Sequence, residues 1–536
     1  MDNNQGTSGT VHKKKSGGMR SWIFIILTVV VVAGIGATAF ALLKNSDPMT
    51  RYLTAEKETM EEQMSMMDER LTEMMELQDK MLDTPYKSDS TITADFNVEG
   101  AEQTFGPMLP MIKGLVSSAK IETTQMLNQE TKETFLAFDV LLQGSSLGNA
   151  EVYQSEDTTA VKTFLYDDYL SLKNDQLNPF IERMGGTPEP TLDKIPALSD
   201  YMTSTLTYEQ LEEMGEDYLK AMIKELDSEQ FTMEDGVEYE GEKYDKVTLT
   251  LTENETKEMI KTLLTTMKET NIQLGGAMES DTQIEDGKAA FDEMIAEVDN
   301  MNIPDGVKLD AYLDGDTVVY RDITTKLGPS AEEMATINMK TSYLEESEDA
   351  YTSTMDVSVT PENEEGTLVI NLVEKGKEES EDTFIVDHDF TFSMDEGDGP
   401  SKIGVKANSE FTKGASETTF DLVMEGPMFA GSPMPEIGGT LNTEFNMDGD
   451  KADQKVVFGI DFAMEDPMTG NISGDVEFTV DTKTEFSNDL EFPAPSEGET
   501  VNLMEASDSE IQQIMMEMQT NLENYYQQMF GSFGAF

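Results

Sequence analysis

The chain has no cysteine in its 536 residues, one tryptophan (Trp22), and two histidines, His12 and His388. Without cysteine there are no disulfides, no thiolate nucleophile, no cysteine-held zinc or iron–sulfur cluster, and no thiol for a lipoprotein anchor. Folding must rest on hydrophobic cores, which a chain this long can build. Positive charge is also scarce, with 37 Lys and Arg against 106 Asp and Glu and a net charge of −69. A surface of that sign repels phosphate backbones, so no nucleic-acid partner is expected. It is also what an exterior adapted to saline or alkaline surroundings would show, with weak cation binding as the alternative.

Catalytic signatures are missing too. The sequence contains no Walker loop, dinucleotide glycine fingerprint, serine nucleophile elbow or His-Glu-x-x-His pair. His388 lies between Asp387 and Asp389, but alternation along a strand puts the two acids on one face and the imidazole on the other, as for a solvated or edge-strand histidine. The acidic turns Asp314-Gly315-Asp316, Asp395-Glu396-Gly397-Asp398 and Asp448-Gly449-Asp450 lack the ligand order of an EF-hand and read as turns. No catalytic, cofactor-binding or metal residue is assigned, no cofactor is expected, and the chain is not read as an enzyme.

One long apolar run is present. Ser21–Leu43 holds 23 residues without a charge, about 34 Å as a helix at roughly 1.5 Å per residue. Lys13, Lys14, Lys15 and Arg20 precede it. The expectation is a basic cytoplasmic tail over 1–20, a single transmembrane helix over 21–43 as the contact with the lipid bilayer, and an extracytoplasmic body beyond. Cleavage as a signal at Ala37-Thr38-Ala39 or Ala39-Phe40-Ala41 is the alternative.

Beyond it, Asp47-Pro48 opens a helix over 47–83 as N-cap and first helical residue. Leu53, Met60, Met67, Met74 and Met81 recur every seven residues, with Lys57, Met64, Leu71 and Gln78 interleaved. Ser507 and Glu510 have capping-box spacing ahead of a second Met-rich amphipathic helix over 507–530, with Ile511, Met515, Met518, Leu522, Tyr525 and Met529 on one stripe. Methionine totals 38, and its helical spacing favours packing over Cu(I) ligation. Residues 88–325 alternate strands with helices, including Tyr208–Leu226 and Glu253–Met267. Residues 335–490 read as an antiparallel meander of nine strands. The fold class expected is α+β and β-rich, with large curved antiparallel sheets, helices packed on the first half, and Met-rich helices at both ends of the ectodomain.

The basic tail, single anchor, acidic helix and strand Tyr244–Thr252 running into a helix resemble uncharacterised single-pass exported proteins of Bacillus-like Gram-positive bacteria. The element order over about 88–325 is also similar to LolA/LppX-type lipoprotein-carrier folds. That resemblance implies a sheet cupping helices over an apolar cavity, and carries no functional residue with it. The functional expectation is a binding module for an apolar ligand or a cell-envelope partner, or else a structural protein of the envelope without a ligand.

Charge repulsion on this scale weakens as salt screens it. Thermal unfolding followed by circular dichroism should therefore show the melting temperature rising from low to moderate NaCl; a steady fall would mean that repulsion does not limit stability.

Overall fold

The computed structural model describes residues 47–531, apart from 101–105, 107, 188–193, 203–213, 215–216, 219, 276–280, 348, 363–365, 381, 396–398, 430–433 and 467–469. Twenty strands lie in one sheet. They are β1 (Tyr86–Glu99), β2 (Ala119–Asn128), β3 (Glu133–Leu142), β4 (Ser145–Gln154), β5 (Thr158–Thr163), β6 (Tyr166–Lys173), β7 (Phe231–Tyr239), β8 (Glu242–Leu251), β9 (Val307–Asp314) and β10 (Thr317–Ser330). The second ten are β11 (Glu333–Ser347), β12 (Ala350–Pro361), β13 (Thr367–Ser380), β14 (Thr383–Asp395), β15 (Pro400–Thr412), β16 (Ala415–Glu425), β17 (Glu436–Asp448), β18 (Lys451–Asp466), β19 (Gly470–Phe486) and β20 (Thr500–Asn502). Seven helices accompany them among the described residues: α1 (Pro48–Asp83), α2 (Met108–Ser118), α3 (Leu177–Arg183), α4 (Leu198–Met202), α5 (Glu253–Gly275), α6 (Asp281–Val298) and α7 (Asp508–Gly531).

Strands β7 to β19 pair consecutively as one antiparallel meander, and β1 to β6 form a second. β1 welds them, pairing with β2 on one side and β19 on the other over its whole length, Tyr86 opposite Phe486 through Glu99 opposite Ser473. Hydroxyl pairs cross that seam: Ser88 with Thr484 at 2.7 Å and Ser90 with Thr482 at 2.8 Å. Each meander alone would end in a long edge of unpaired N–H and C=O groups, and the seam removes both edges. β20 adds to β6 in parallel, and no pairing among the described residues joins β7 back to β20.

Local signals explain the helix ends. Asp47 Oδ1 accepts from Thr50 N at 3.1 Å, and Pro48 takes the first turn. Thr252 and Glu255 close a reciprocal capping box at α5 (2.7 and 3.4 Å), as Ser507 and Glu510 do at α7 (2.7 and 3.3 Å). Gly315, at φ 59°, turns β9 into β10, a position where side chains are strained.

α1 is the longest helix, 36 residues or about 54 Å. Its first turns enter the main core: Tyr52, Leu53 and Ala55 meet Met259, Ile260, Leu263 and Leu264 of α5 over Val247 and Leu249 of β8, Leu309 of β9, Ile323 of β10 and Ile337 of β11. Its last turns enter a second core, where Leu77 packs on Tyr86, Leu127, Ala452 and Phe486. Leu53 to Leu77 covers about 36 Å along the axis, close to the roughly 33 Å of seven interstrand spacings that separate β10 from β17. One helix thus ties both halves of the sheet.

Its docking is polar as well as apolar. Glu56 and Arg321 form a two-pronged ion pair, Nε to Oε1 at 2.7 Å and Nη2 to Oε2, with Glu56 3% exposed. Burial works against the charge on Arg321, but Glu56 outweighs it and the guanidinium is held more firmly protonated than usual. Burial, reinforced by Glu56, pushes the Tyr52 hydroxyl well above its ordinary range, so it stays neutral. Val318 of β10 precedes the first pair of the β10–β11 ladder, Tyr320 with Ser342, and its N–H donates to Thr59 Oγ1 of α1 at 2.8 Å.

The structure corrects several expectations. In place of an α+β layout with separate curved sheets, a single sheet runs through both halves, with α5, α6 and the first turns of α1 in the main core and the last turns of α1 in the second. The reason is the β1–β19 seam, formed between segments about four hundred residues apart. α7 keeps its helical period, with Ile511 buried and Met518 and Tyr525 half-buried as expected, but Ile514 is buried in place of Met515, which is 46% exposed. In α1, Leu53 is buried and Met81 packs on the second core, whereas the expected seam residues Met60, Met64, Met67, Leu71 and Met74 lie outside the described side chains. Part of the expected helix Tyr208–Leu226 lies outside the described residues; of the rest, Met222 is buried in the main core and Tyr218, Ile223 and Leu226 pack against it. The expected membrane span Ser21–Leu43 also lies outside them, and among the described residues no helix is long and apolar enough to cross a membrane.

Removing one partner of a buried pair strands the other charge, at a cost of about 3–5 kcal/mol. Glu56→Ala should lower the unfolding free energy in urea by that amount, and Leu77→Ala by about 2–4 kcal/mol; a loss below about 1 kcal/mol for either would show that α1 does not hold the sheet together.

Candidate functional site: the uncovered apolar face

Register decides which side chains share a face. Starting from the core residues of β8 and β9 and stepping through each pair, one face of the whole sheet proves apolar. Ile323 faces Met339, which faces Val357, then Ile370, then Phe392, then Ile403, then Met424. One row further along, Phe390 faces Val405, Leu422, Ile437, Phe462, Gly474 and Val98 in turn. The opposite face carries the charge: Asp387, Lys406, Asp421, Asp461, Asp475, Asp95, Glu122 and Asp139 all alternate away from the apolar rows.

The helices cover only part of this apolar face. The main core ends at β13, with Leu368 and Ile370 at its rim. The second core is confined to one end of the strands around Tyr86, Leu127 and Phe486. Apart from a third buried cluster of Tyr343, Tyr351, Phe384 and Val386, several strand side chains elsewhere on this face stay exposed among the described residues. The large hydrophobic side chains on strands that remain exposed are Ile121, Phe138, Val161, Phe390, Ile403, Val405, Leu441 and Phe478, from 36 to 48%. All eight belong to the apolar face by register. Scattered exposed hydrophobics are ordinary, but a one-sided set spread over several neighbouring strands forms a patch, and patches of that kind mark binding surfaces. From β14 to β5 there are ten interstrand spacings, about 48 Å.

The Phe420 ring lies over Gly439, where an added Cβ would come within 2.5 Å of ring carbon Cζ, and it stacks with Phe458 at 6.4 Å and 15°. Rings lying flat over glycine cover backbone and present a planar apolar surface.

Titratable groups on the apolar face are few. His388 sits there on an interior strand, half-buried, with Nδ1 3.2 Å from Glu374 Oε2. Of the two expectations for this histidine, the edge strand is corrected, since β14 is paired on both sides, while the side chain keeps 34% exposure and Asp387 and Asp389 share the opposite face. The acidic turns at 314–316 and 448–450 close hairpins, and Asp316 and Asp450 pair with Arg51 and Lys80 of α1. Among the described residues no group of three or more His, Asp or Glu is placed to hold a metal ion. Sequence reasoning missed the open face as a unit; the signal was there in the alternation of each strand, but its meaning required the register.

No family model matches this chain, and no curated protein does. Solved structures with similarity include the Pseudomonas aeruginosa protein OccK7 (OpdD), 7% identical, covering 75% of this chain and 99% of that one with a TM-score of 0.25. Others are Pseudomonas aeruginosa OpdQ, 8% identical with coverages of 75% and 97% and a TM-score of 0.17, and a mutant Rh. blastica porin, 8% identical with coverages of 74% and 98% and a TM-score of 0.20. Superpositions this loose carry no argument about function. The resemblance to LolA/LppX-type carriers and single-pass exported proteins is corrected by the single twenty-stranded sheet, and the single-pass membrane localisation read from Ser21–Leu43 and its basic flank is not carried forward, no helix among the described residues being long and apolar enough to cross a membrane.

Because Phe390, Val405 and Phe478 are only partly buried, replacing each by Ser should cost no more than about 1 kcal/mol in thermal or urea unfolding. The same triple variant should bind less of an environment-sensitive apolar dye in the native state; unchanged dye fluorescence would mean that the face is not accessible.

Proposed function

We propose that this protein is a binding module for an apolar ligand, held on the open part of the apolar sheet face. The observation that carries the reading is the one-sided exposure: every large hydrophobic strand residue left substantially exposed lies on the face that the helices cover only in part. Full burial of such a side chain is worth about 1.5–3 kcal/mol, so several in a row give an acyl chain a strong reason to lie there. The acidic opposite face keeps the protein in water and leaves the apolar face as the surface available to such a chain. The ends of α1 frame the region, docked to β10 at one end and to the turn between β17 and β18 at the other.

Purified protein, extracted with organic solvent and analysed by mass spectrometry, should release acyl-chain lipid in at least stoichiometric amount. Phe390→Glu combined with Phe478→Glu should abolish that recovery while preserving the far-ultraviolet circular dichroism spectrum. Absence of lipid from the wild-type protein, together with failure to take up a fluorescent fatty-acyl probe, would leave a structural role in the envelope as the better reading.

A further inference from the structure

A charged cluster interrupts the apolar face on β13 and β14, beside the buried side chains of Tyr343, Tyr351, Phe384 and Val386. Glu374 of β13 stands directly opposite His388 of β14. Its Oε2 is 3.2 Å from His388 Nδ1, and its Oε1 accepts from the Tyr351 hydroxyl of β12 at 2.6 Å. Tyr351 reaches it because its partner across the strands is Gly376, where a Cβ would come within 2.1 Å of ring carbon Cε1. The ring is held further by Tyr343 at 5.5 Å and Phe384 at 6.4 Å. Burial first, then Glu374, pushes the Tyr351 hydroxyl well above its ordinary range, so it remains a donor.

The cluster is built yet still reachable, since the side chains of His388 and Glu374 are 34% and 31% exposed. Two residues on from His388 along the same face is Phe390, 40% exposed and opposite Val405. A carboxylate offers about four acceptor positions, of which tyrosine and histidine use two, and a histidine whose Nδ1 donates has Nε2 as its second polar atom. Charge on an apolar face is costly unless partnered. Here it stands beside the open hydrophobic rows, the arrangement an amphiphile needs.

We propose that Tyr351, Glu374 and His388 form a headgroup site for a zwitterionic phospholipid whose acyl chains lie along Phe390, Val405 and Leu422. The ammonium of the headgroup takes the remaining acceptor positions of Glu374, and its phosphate accepts from Nε2–H of His388 in the doubly protonated form of the ring. The acidic body, with a net charge of −69, selects against headgroups with net negative charge. The proposal rests on the lipid-binding reading above and adds the headgroup class.

The test uses the full chain and two acyl-labelled fluorescent lipids with identical chains, phosphatidylethanolamine and phosphatidylglycerol, titrated in the same detergent. Wild-type protein should prefer phosphatidylethanolamine by about tenfold, the scale of one charge-assisted hydrogen bond. The near-isosteric double variant Glu374→Gln/His388→Gln should lose that preference while still binding both lipids, and Tyr351→Phe should reduce it in part. Melting curves of each variant check folding. If the double variant keeps the preference, or phosphatidylglycerol binds wild type as tightly, the headgroup site is overturned while lipid binding stands. If neither lipid binds wild type, the binding reading itself fails.

Discussion

Alternation of period two, kept in register across twenty strands, is the constraint on which this molecule depends. Each strand sends every second side chain to one face, and pairing forces neighbouring strands to agree. A slip of one residue anywhere would move acids into the apolar rows. The β1–β19 seam is the most demanding point, because two segments from opposite ends of the chain must meet in the register that sets Tyr86 against Phe486 and Ser88 against Thr484. Its crossed hydroxyls satisfy one another on an otherwise apolar face, which makes that register cheaper than its neighbours.

The second constraint is the division of labour between helices and sheet. A sheet with one apolar face needs a cover, and the described helices cover only part of it. α1, α5 and α6 make a conventional core on β8–β13, stabilised by dispersion and by the Glu56–Arg321 pair. Past β13 the same alternation continues, and the last turns of α1 return to it at the second core. A folded protein that leaves apolar side chains exposed on such a face risks self-association. The acidic face offsets the risk, since repulsion between copies keeps the protein dispersed.

Much of the local structure was legible in the sequence. The nine strands expected between 335 and 490 correspond one for one to β11–β19, and the caps at Asp47, Thr252 and Ser507 are set by hydrogen bonds within three residues. The turn at Asp314-Gly315 depends on a glycine with positive φ, which the residue type announces. These features rest on interactions a few residues long, so the sequence by itself determined them. So did the excess of acid, which needs no fold to count.

Only the tertiary structure decided how those pieces combine. Alternation marks that a strand has two unlike faces, but which strand lies beside it is a matter of long-range pairing, and β1 could have taken other partners until β19 closed on it. Helix stripes follow the same logic. The period of α7 is written in its residues, yet the rotation that buries Ile514 and exposes Met515 depends on the surface offered by β6 and its neighbours. His388 is the sharpest case. Sequence placed it opposite the face of its two acidic neighbours. The register of β13 then put Glu374 across from it, and the ring of Tyr351, lying over Gly376, put a donor on that carboxylate. Local chemistry fixes what each residue can offer; the partner it offers it to is chosen by contacts between segments far apart in the chain.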